Sequence, residues 1–139
     1  MPNHSGVLLS SLVEHLHLEI AFKSKDYETV RLTVEDLSRP GLQLAGFFDY
    51  YDESRVVVIG LAEYEYLRTF SAAERKDKLS RLFDYGEVPC VILSRSLPAF
   101  EELLEAAKAV ACPILSSPKI TTDLMSDLYI YLNRLLAPS

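Results

Sequence analysis

Arg55-Val56-Val57-Val58-Ile59-Gly60 is the stretch that decides the fold. Four β-branched residues follow one another without polar alternation, the pattern of a strand covered on both faces, as in a parallel sheet. Gly60 ends the run. Leu61 to Phe70 then places Tyr64, Leu67 and Phe70 at helical spacing, and Ser71-Ala72-Ala73-Glu74 is a capping box opening a helix whose stripe is Leu79, Leu82 and Phe83. Val88-Pro89-Cys90-Val91-Ile92-Leu93 reads as a second continuous apolar strand, with its proline at the entrance where no ladder donor is needed. Pro98 at a first helical position, followed by Glu101 and Glu102, predicts a helix through Val110 with Leu103, Leu104 and Ala107 inward. Pro113-Ile114-Leu115 is a third, shorter strand. Thr121 or Thr122 caps a last helix with Leu124, Leu128, Tyr131 and Leu135 on its stripe, ending at Ala137-Pro138. Strands alternating with helices predict parallel pairing through right-handed crossovers.

Upstream of Arg55 the pattern is looser. Ser11 with Glu14 three residues on predicts a capped helix carrying Leu12, Val13 and Leu16. Residues 18–22 alternate as a short strand, and Thr29-Val30-Arg31-Leu32-Thr33 suggests another. Thr33-Val34-Glu35-Asp36 has the opening of a helical turn. Pro40-Gly41 marks a turn with Gly41 expected at positive φ, and the chain leaves the α region before Pro40. Leu42 to Phe48 fits a helical turn or a strand equally well. The expected fold class is α/β: a mostly parallel sheet flanked by helices in a three-layer arrangement, with residues 1–139 forming one domain.

Composition bounds the chemistry. The 139 residues are 49% apolar and 24% charged, with a net charge of -6. That balance suits a globular domain and disfavours non-specific contact with nucleic acid or an anionic membrane, so neither is expected as a partner. No leader peptide and no apolar run near membrane-spanning length is legible, which makes the cytoplasm the expected location. Cys90 and Cys112 sit in apolar stretches and read as buried free thiols, with a disulfide open if their strands start side by side. His4, His15 and His17 have no partners at metal-ligand spacing.

No catalytic constellation is legible. None of the five glycines precedes the Lys-Ser/Thr pair of a phosphate-binding loop, and the dinucleotide fingerprint is missing. Gly60 between strand and helix would expose amides to an anion, although a plain strand end accounts for it. Asp49, Asp52 and Glu53, interleaved with Tyr50 and Tyr51, have no base, nucleophile or metal-binding companion, and suit a structured loop or contact surface. Ser38 and Arg39 suit either a phosphate contact or a turn in which Arg39 pairs with Asp36 or Asp49. Of Tyr64 and Tyr66, and of Tyr129 and Tyr131, one member each is expected in the core and the other near the surface, where it would suit an interface.

The run Asp36-Leu37-Ser38-Arg39-Pro40-Gly41-Leu42-Gln43-Leu44-Ala45-Gly46-Phe47-Phe48-Asp49-Tyr50-Tyr51 closely resembles the N-terminal domain of bacterial HPr kinase/phosphorylases. The likeness continues through Arg55 to Gly60, Glu63, Leu67, Arg81-Leu82-Phe83, Pro89-Cys90-Val91-Ile92-Leu93-Ser94-Arg95, Leu103 to Ala107 and Leu132 to Pro138. Residues 22–26 and 97–100 match more loosely. The resemblance implies a fold like the uridine-nucleotide-binding N-terminal domain of Mur ligases. It implies a parent enzyme that phosphorylates and dephosphorylates a serine of the phosphocarrier protein HPr in carbon catabolite control. That parent would be a homohexamer using ATP or pyrophosphate with Mg²⁺, its chemistry residing in a C-terminal P-loop domain absent from this chain. The expected role here is noncatalytic, in assembly or regulation, with no catalytic, cofactor or metal residues. Ser38, Arg39, Gly41, Gly46, Asp49, Tyr50 and Tyr51 form the motif expected to serve contact or structure. The alternative is a stand-alone module binding a nucleotide or regulatory metabolite.

Overall fold

The computed structural model describes residues 6–48, 51, 52, 54–84 and 86–136. In chain order the elements are β1 (Val7–Leu8), α1 (Leu9–Leu16), β2 (Glu19–Phe22), a single 3₁₀ turn (Tyr27–Thr29), β3 (Arg31–Leu32), β4 (Leu37–Ser38) and α2 (Gly41–Leu44). There follow β5 (Val56–Ile59), α3 (Leu61–Arg68), α4 (Ala72–Arg81), β6 (Val91–Leu93), α5 (Glu101–Val110), β7 (Ile114–Ser116) and α6 (Thr121–Leu136).

All four residues of β5 are buried. It lies between β4 and β6 in a sheet ordered β2-β7-β6-β5-β4, in which β4 to β7 are parallel and β2 pairs antiparallel with β7 at the edge. Alternation along the strands sorts their side chains between two cores. Val57, Ile59, Val91, Leu93 and Ile114 meet Leu44, Leu67, Leu79 and Leu103 from α2 to α5. Val56, Val58, Ile92 and Leu115 meet Leu9 and Leu12 of α1 and Leu124, Leu128 and Leu132 of α6. The domain is therefore α/β, with helices on both faces of a mixed, mostly parallel sheet.

Several local expectations give way to tertiary contacts. Helix α1 begins at Leu9 rather than Ser11 and has no side-chain cap. Its entry is set by the β1–β3 ribbon, where Leu8 pairs with Arg31 and the Leu9 N–H donates to Val30 O at 2.9 Å. Residues 33–36 form no helical turn; the chain continues into β4, whose Leu37 and Ser38 pair with Val56 and Val57. Gly41 is not at positive φ but opens α2, and the positive φ falls on Gly46 (103°), whose N–H returns to Gln43 O. Helix α5 starts at Glu101, not Pro98, because the preceding segment is held extended: Pro98 O accepts from the Tyr64 hydroxyl, and Phe100 stacks on Tyr64 at 4.4 Å. The second strand is shorter than expected, beginning at Val91. The expected end of α6 at Ala137-Pro138 lies outside the described residues.

Other expectations hold. Ser71 and Glu74 form the reciprocal capping box of α4. Tyr64 is buried while Tyr66 is exposed, and Tyr131 packs against the core while Tyr129 faces solvent.

On α6 the buried row is Leu124, Leu128 and Leu132, while Leu135 is 51% exposed. Leu132→Ala is expected to cost about 2–5 kcal/mol and Leu135→Ala under about 0.5 kcal/mol in urea unfolding of the 139-residue chain. Equal losses would return Leu135 to the core stripe.

Candidate functional site

In a parallel sheet, ligands bind beyond the carboxyl ends of the strands. Here that rim is formed by the ends of β4, β5 and β6 and by the start of α6. Arg39 leaves β4 and reaches Glu63 on the first turn of α3. Its Nε and Nη2 donate to Glu63 Oε1 at 3.0 and 2.8 Å, and Nη2 also donates to Oε2 at 3.0 Å. The Gly60 N–H donates to the same Oε1 at 2.8 Å. The Glu63 side chain is 8% exposed and that of Arg39 34%, so the carboxylate is buried and held by a partly solvated guanidinium. Arg39 Nη1 lies 3.7 Å from Met125 Sδ on α6. Beside this pair, Thr121 Oγ1 and Ser94 Oγ share a hydrogen bond of 2.7 Å, both residues being buried.

Gly60 is where these groups converge. A Cβ there would stand 2.7 Å from Thr121 Oγ1 and 2.8 Å from Arg39 Nη2, contacts that force the neighbours apart. The strand end is thus glycine for close packing. An anion approaching the start of α3 would meet the Glu63 carboxylate already occupying the Gly60 amide. The residues present do not fit a nucleotide phosphate or its metal ion at this helix. Among the described residues, no group of three or more His, Cys, Asp or Glu could hold a metal.

The turn after β6 stores backbone strain. Arg95 and Ser96 both lie in the left-handed region, at φ 57° and 53°, and Leu97 N–H closes the turn on Ser94 O. Each such residue costs of order 1 kcal/mol or more. The Arg95 and Ser96 amides offset this by donating to Lys119 O and Ser117 O in the loop that leads into α6.

Topology also argues against a crevice at this rim. From β4 to β7 each strand is laid beside its predecessor in one direction, so the order does not reverse among the parallel strands. The crevice of doubly wound folds opens where that reversal occurs. A groove of about 550 Å³ lies elsewhere, lined by Asp26, Arg31, Glu87, Pro89, Val110 and Pro113 among others. Its charges are of mixed sign and come from separate segments: Asp26 before the 3₁₀ turn, Arg31 in β3 and Glu87 before β6.

The motif residues spread over the rim and the neighbouring helices. Ser38 is half-buried in β4, next to Arg39. Arg39 pairs with Glu63 and Asp36 lies 3.8 Å from Arg55, so the expected Arg39–Asp36 pair does not form, while the alternative pairing with Asp49 falls outside the described residues. Gly41 lines a shallow hollow with Ala45, Ala62, Glu63 and Tyr66, and Gly46 one with Phe70, Lys78 and Arg81. The Tyr51 hydroxyl donates to Leu82 O at 2.8 Å and its ring meets Phe48 edge-on, tying the motif's end to the end of α4. Asp49, Tyr50 and Glu53 lie outside the described residues. Asp52 accepts from the Ser54 hydroxyl and amide, which hold its carboxyl below the usual carboxylate range and mark a turn. Glu63, Ser94 and Thr121 escaped the sequence reading as a group. The only available signal was Glu63 three residues after Gly60, a capping-box spacing without the hydroxyl.

The cysteines are buried thiols that their surroundings make harder to ionise. Cys90 and Cys112 are free and buried in different cores, on opposite faces of the sheet. Burial pushes the Cys112 thiol up to about 12 and raises Cys90 as well.

Comparison with known proteins gives a consistent answer. Residues 7–132 match the family described as HPr Serine kinase N terminus. The chain is 38% identical over 130 residues to an HPr kinase/phosphorylase of Caldicellulosiruptor bescii, covering 94% of this chain and 42% of that protein. It is 39% identical to that of Clostridium tetani and 40% identical to that of Alkaliphilus metalliredigens, each across 96% of this chain and 43% of the relative. It thus spans less than half the length of these curated relatives. Among solved structures it resembles the CBS and DRTGG domains of the regulatory region of a Clostridium perfringens pyrophosphatase, complexed with its activator diadenosine tetraphosphate. The TM-score is 0.59 at 16% identity, covering 93% of this chain and 51% of the other. At that identity the likeness concerns the fold.

Arg39→Met strands the Glu63 carboxylate and is expected to cost about 2 kcal/mol, less than a fully buried pair because Arg39 is partly solvated. Combined with Glu63→Gln it should cost clearly less than the two single losses added, as no buried charge is then unpaired. Additive losses in urea unfolding would refute the coupling. The thiols give a second test. Raised folded-state values make their contribution fully present below the unfolded thiol value and lost as pH climbs from about 9 towards 12, at up to about 1.4 kcal/mol per pH unit per thiol. Stability in urea should fall across that window and fall less for Cys112→Ala; an unchanged slope would refute the assignment.

Proposed function

The chain belongs to the HPr serine kinase N-terminus family, and on that premise we propose that it is the noncatalytic N-terminal domain of a bifunctional HPr kinase/phosphorylase. In this reading residues 1–139 form one domain serving assembly or regulation. A C-terminal P-loop domain, absent from this chain, binds ATP or pyrophosphate with Mg²⁺ and transfers phosphate to and from a serine of HPr. The parent is a cytoplasmic homo-oligomer, a hexamer by resemblance, acting in carbon catabolite control. The observation that carries the reading is the match over residues 7–132 to a family named for the N terminus of that enzyme. Relatives bearing the enzyme's name are less than half covered, which leaves room in them for the catalytic part.

The geometry supports a structural duty for the motif. Arg39 anchors the strand end to α3, and Tyr51 ties the motif's end to the end of α4. Ser38, Gly41 and Gly46, with Asp49 and Tyr50, complete the segment and offer contacts to the rest of the enzyme. No helix among the described residues is long and apolar enough to cross a membrane. The likeness to the uridine-nucleotide-binding domain of Mur ligases belongs to this proposal as a matter of fold, because Glu63 closes the amide end where a phosphate would dock.

A second reading, a stand-alone module for a nucleotide or regulatory metabolite, draws on the structural neighbour's place in a regulatory region holding a dinucleotide activator. Calorimetric titration with nucleotides, pyrophosphate and sugar phosphates separates the two: saturable micromolar binding favours the module. Incubating the 139-residue chain with ATP, Mg²⁺ and HPr is expected to yield no phosphoserine by mass spectrometry. Turnover above the enzyme-free background would defeat the noncatalytic assignment.

A further inference from the structure

The groove between α1 and α6 has a defined shape and a surface suited to another segment of chain. Asp127, Ile130, Tyr131, Arg134 and Leu135 follow helical spacing along one side of α6, and with His15 and Leu16 of α1 they line a groove of about 290 Å³. The His15 ring stacks on Tyr131 at 4.6 Å, joining the two helices. Ile130 and Leu135 are nevertheless 52% and 51% exposed. Asp127 is paired with Lys119, whereas Arg134 has no ion-pair partner among the described residues. The groove therefore presents two aliphatic side chains beside a guanidinium that forms no ion pair with any described residue.

The occupant is indicated by where the chain leads. The curated relatives are more than twice as long as the part matched here, which covers 42% of one and 43% of two others. The matched family is an N terminus, so in those proteins further chain follows α6. It departs next to the turn that carries Arg134 and Leu135.

We propose that the groove seats the segment following α6 in the longer protein, which lays apolar side chains on Ile130 and Leu135 and a carboxylate over Arg134. This rests on the reading of the chain as an N-terminal domain, and it supplies the contact through which such a domain is held against its catalytic partner. Helix α6 runs from the sealed rim at Thr121 to this groove, so the two ends of one helix bear the domain's internal lock and its docking face.

The test uses single added thiols, since Cys90 and Cys112 are 0% and 2% exposed and stay silent in the folded protein. Ile130→Cys, Leu135→Cys and, as a control, Tyr129→Cys are each placed in the 139-residue chain and in the protein extended by the downstream region of its gene. Maleimide labelling is then timed, with circular dichroism checking that each variant is folded. At positions 130 and 135, labelling is expected to be about tenfold or more slower in the extended protein, and at 129 unchanged, as for local burial of one helix face. Equal rates in the two proteins at 130 and 135, or equal slowing at 129, overturn the groove assignment and leave the family reading intact. Labelling in the short chain that slows with its own concentration puts a second copy in the groove and overturns it as well. A downstream region without a phosphate-binding loop defeats the proposed function, yet slowing at 130 and 135 there still supports the groove. A reading frame ending at Ser139 overturns both.

Discussion

The constraint on which this structure rests is the need of Val56, Val57, Val58 and Ile59 for apolar cover on both sides at once. Side chains alternate along a strand, so Val57 and Ile59 enter one core and Val56 and Val58 the other. Burying each such side chain contributes roughly 1.5–3 kcal/mol, and neither set can be left to water. Helices must therefore lie on both faces. One layer comes from the connections between parallel strands, α2 to α5. The other is assembled from the two ends of the chain, α1 before the sheet and α6 after it.

That division bears on the rim where Arg39 meets Glu63. Strands β4 to β7 are added in one direction, and their helical connections belong to the same core. The strand ends are then drawn together instead of opened. Gly60 lets Thr121 and Arg39 approach closely, Glu63 accepts from the Gly60 amide, and Ser94 closes on Thr121. A buried carboxylate is costly unless fully paired, and here two guanidinium nitrogens and one amide satisfy it. The rim behaves as a joint between β4, α3 and α6.

Legibility followed the range of the interactions. The capping box at Ser71 and the split of Tyr64 from Tyr66 depend on residues within one helix turn, and both were readable. The start of α1 was not, because the β1–β3 ribbon delivers Leu9 to Val30 O, which lies beyond α1, β2 and the 3₁₀ turn in the chain. Gly41 was expected at positive φ, but Pro40 and Gly41 open a helix and the left-handed position passes to Gly46. On α6, the choice between Leu132 and Leu135 turns on which side of the helix meets the sheet, and spacing alone admits both. Local spacing offers Asp36 to Arg39, yet the carboxylate that Arg39 holds lies 24 residues away on another element.

From the residues alone came the doubly covered strand, the α/β class, the parallel order after Arg55 and the family resemblance carried by the run from Asp36 to Tyr51. These depend on local period and composition, which backbone geometry converts directly into structure. Only the folded chain decided which carboxylate Arg39 holds, how closely Thr121 and Arg39 crowd Gly60, which row of α6 is buried, and that α1 and α6 leave a groove between them. Such outcomes are set by distances between segments far apart in the chain, and a linear string carries no distances.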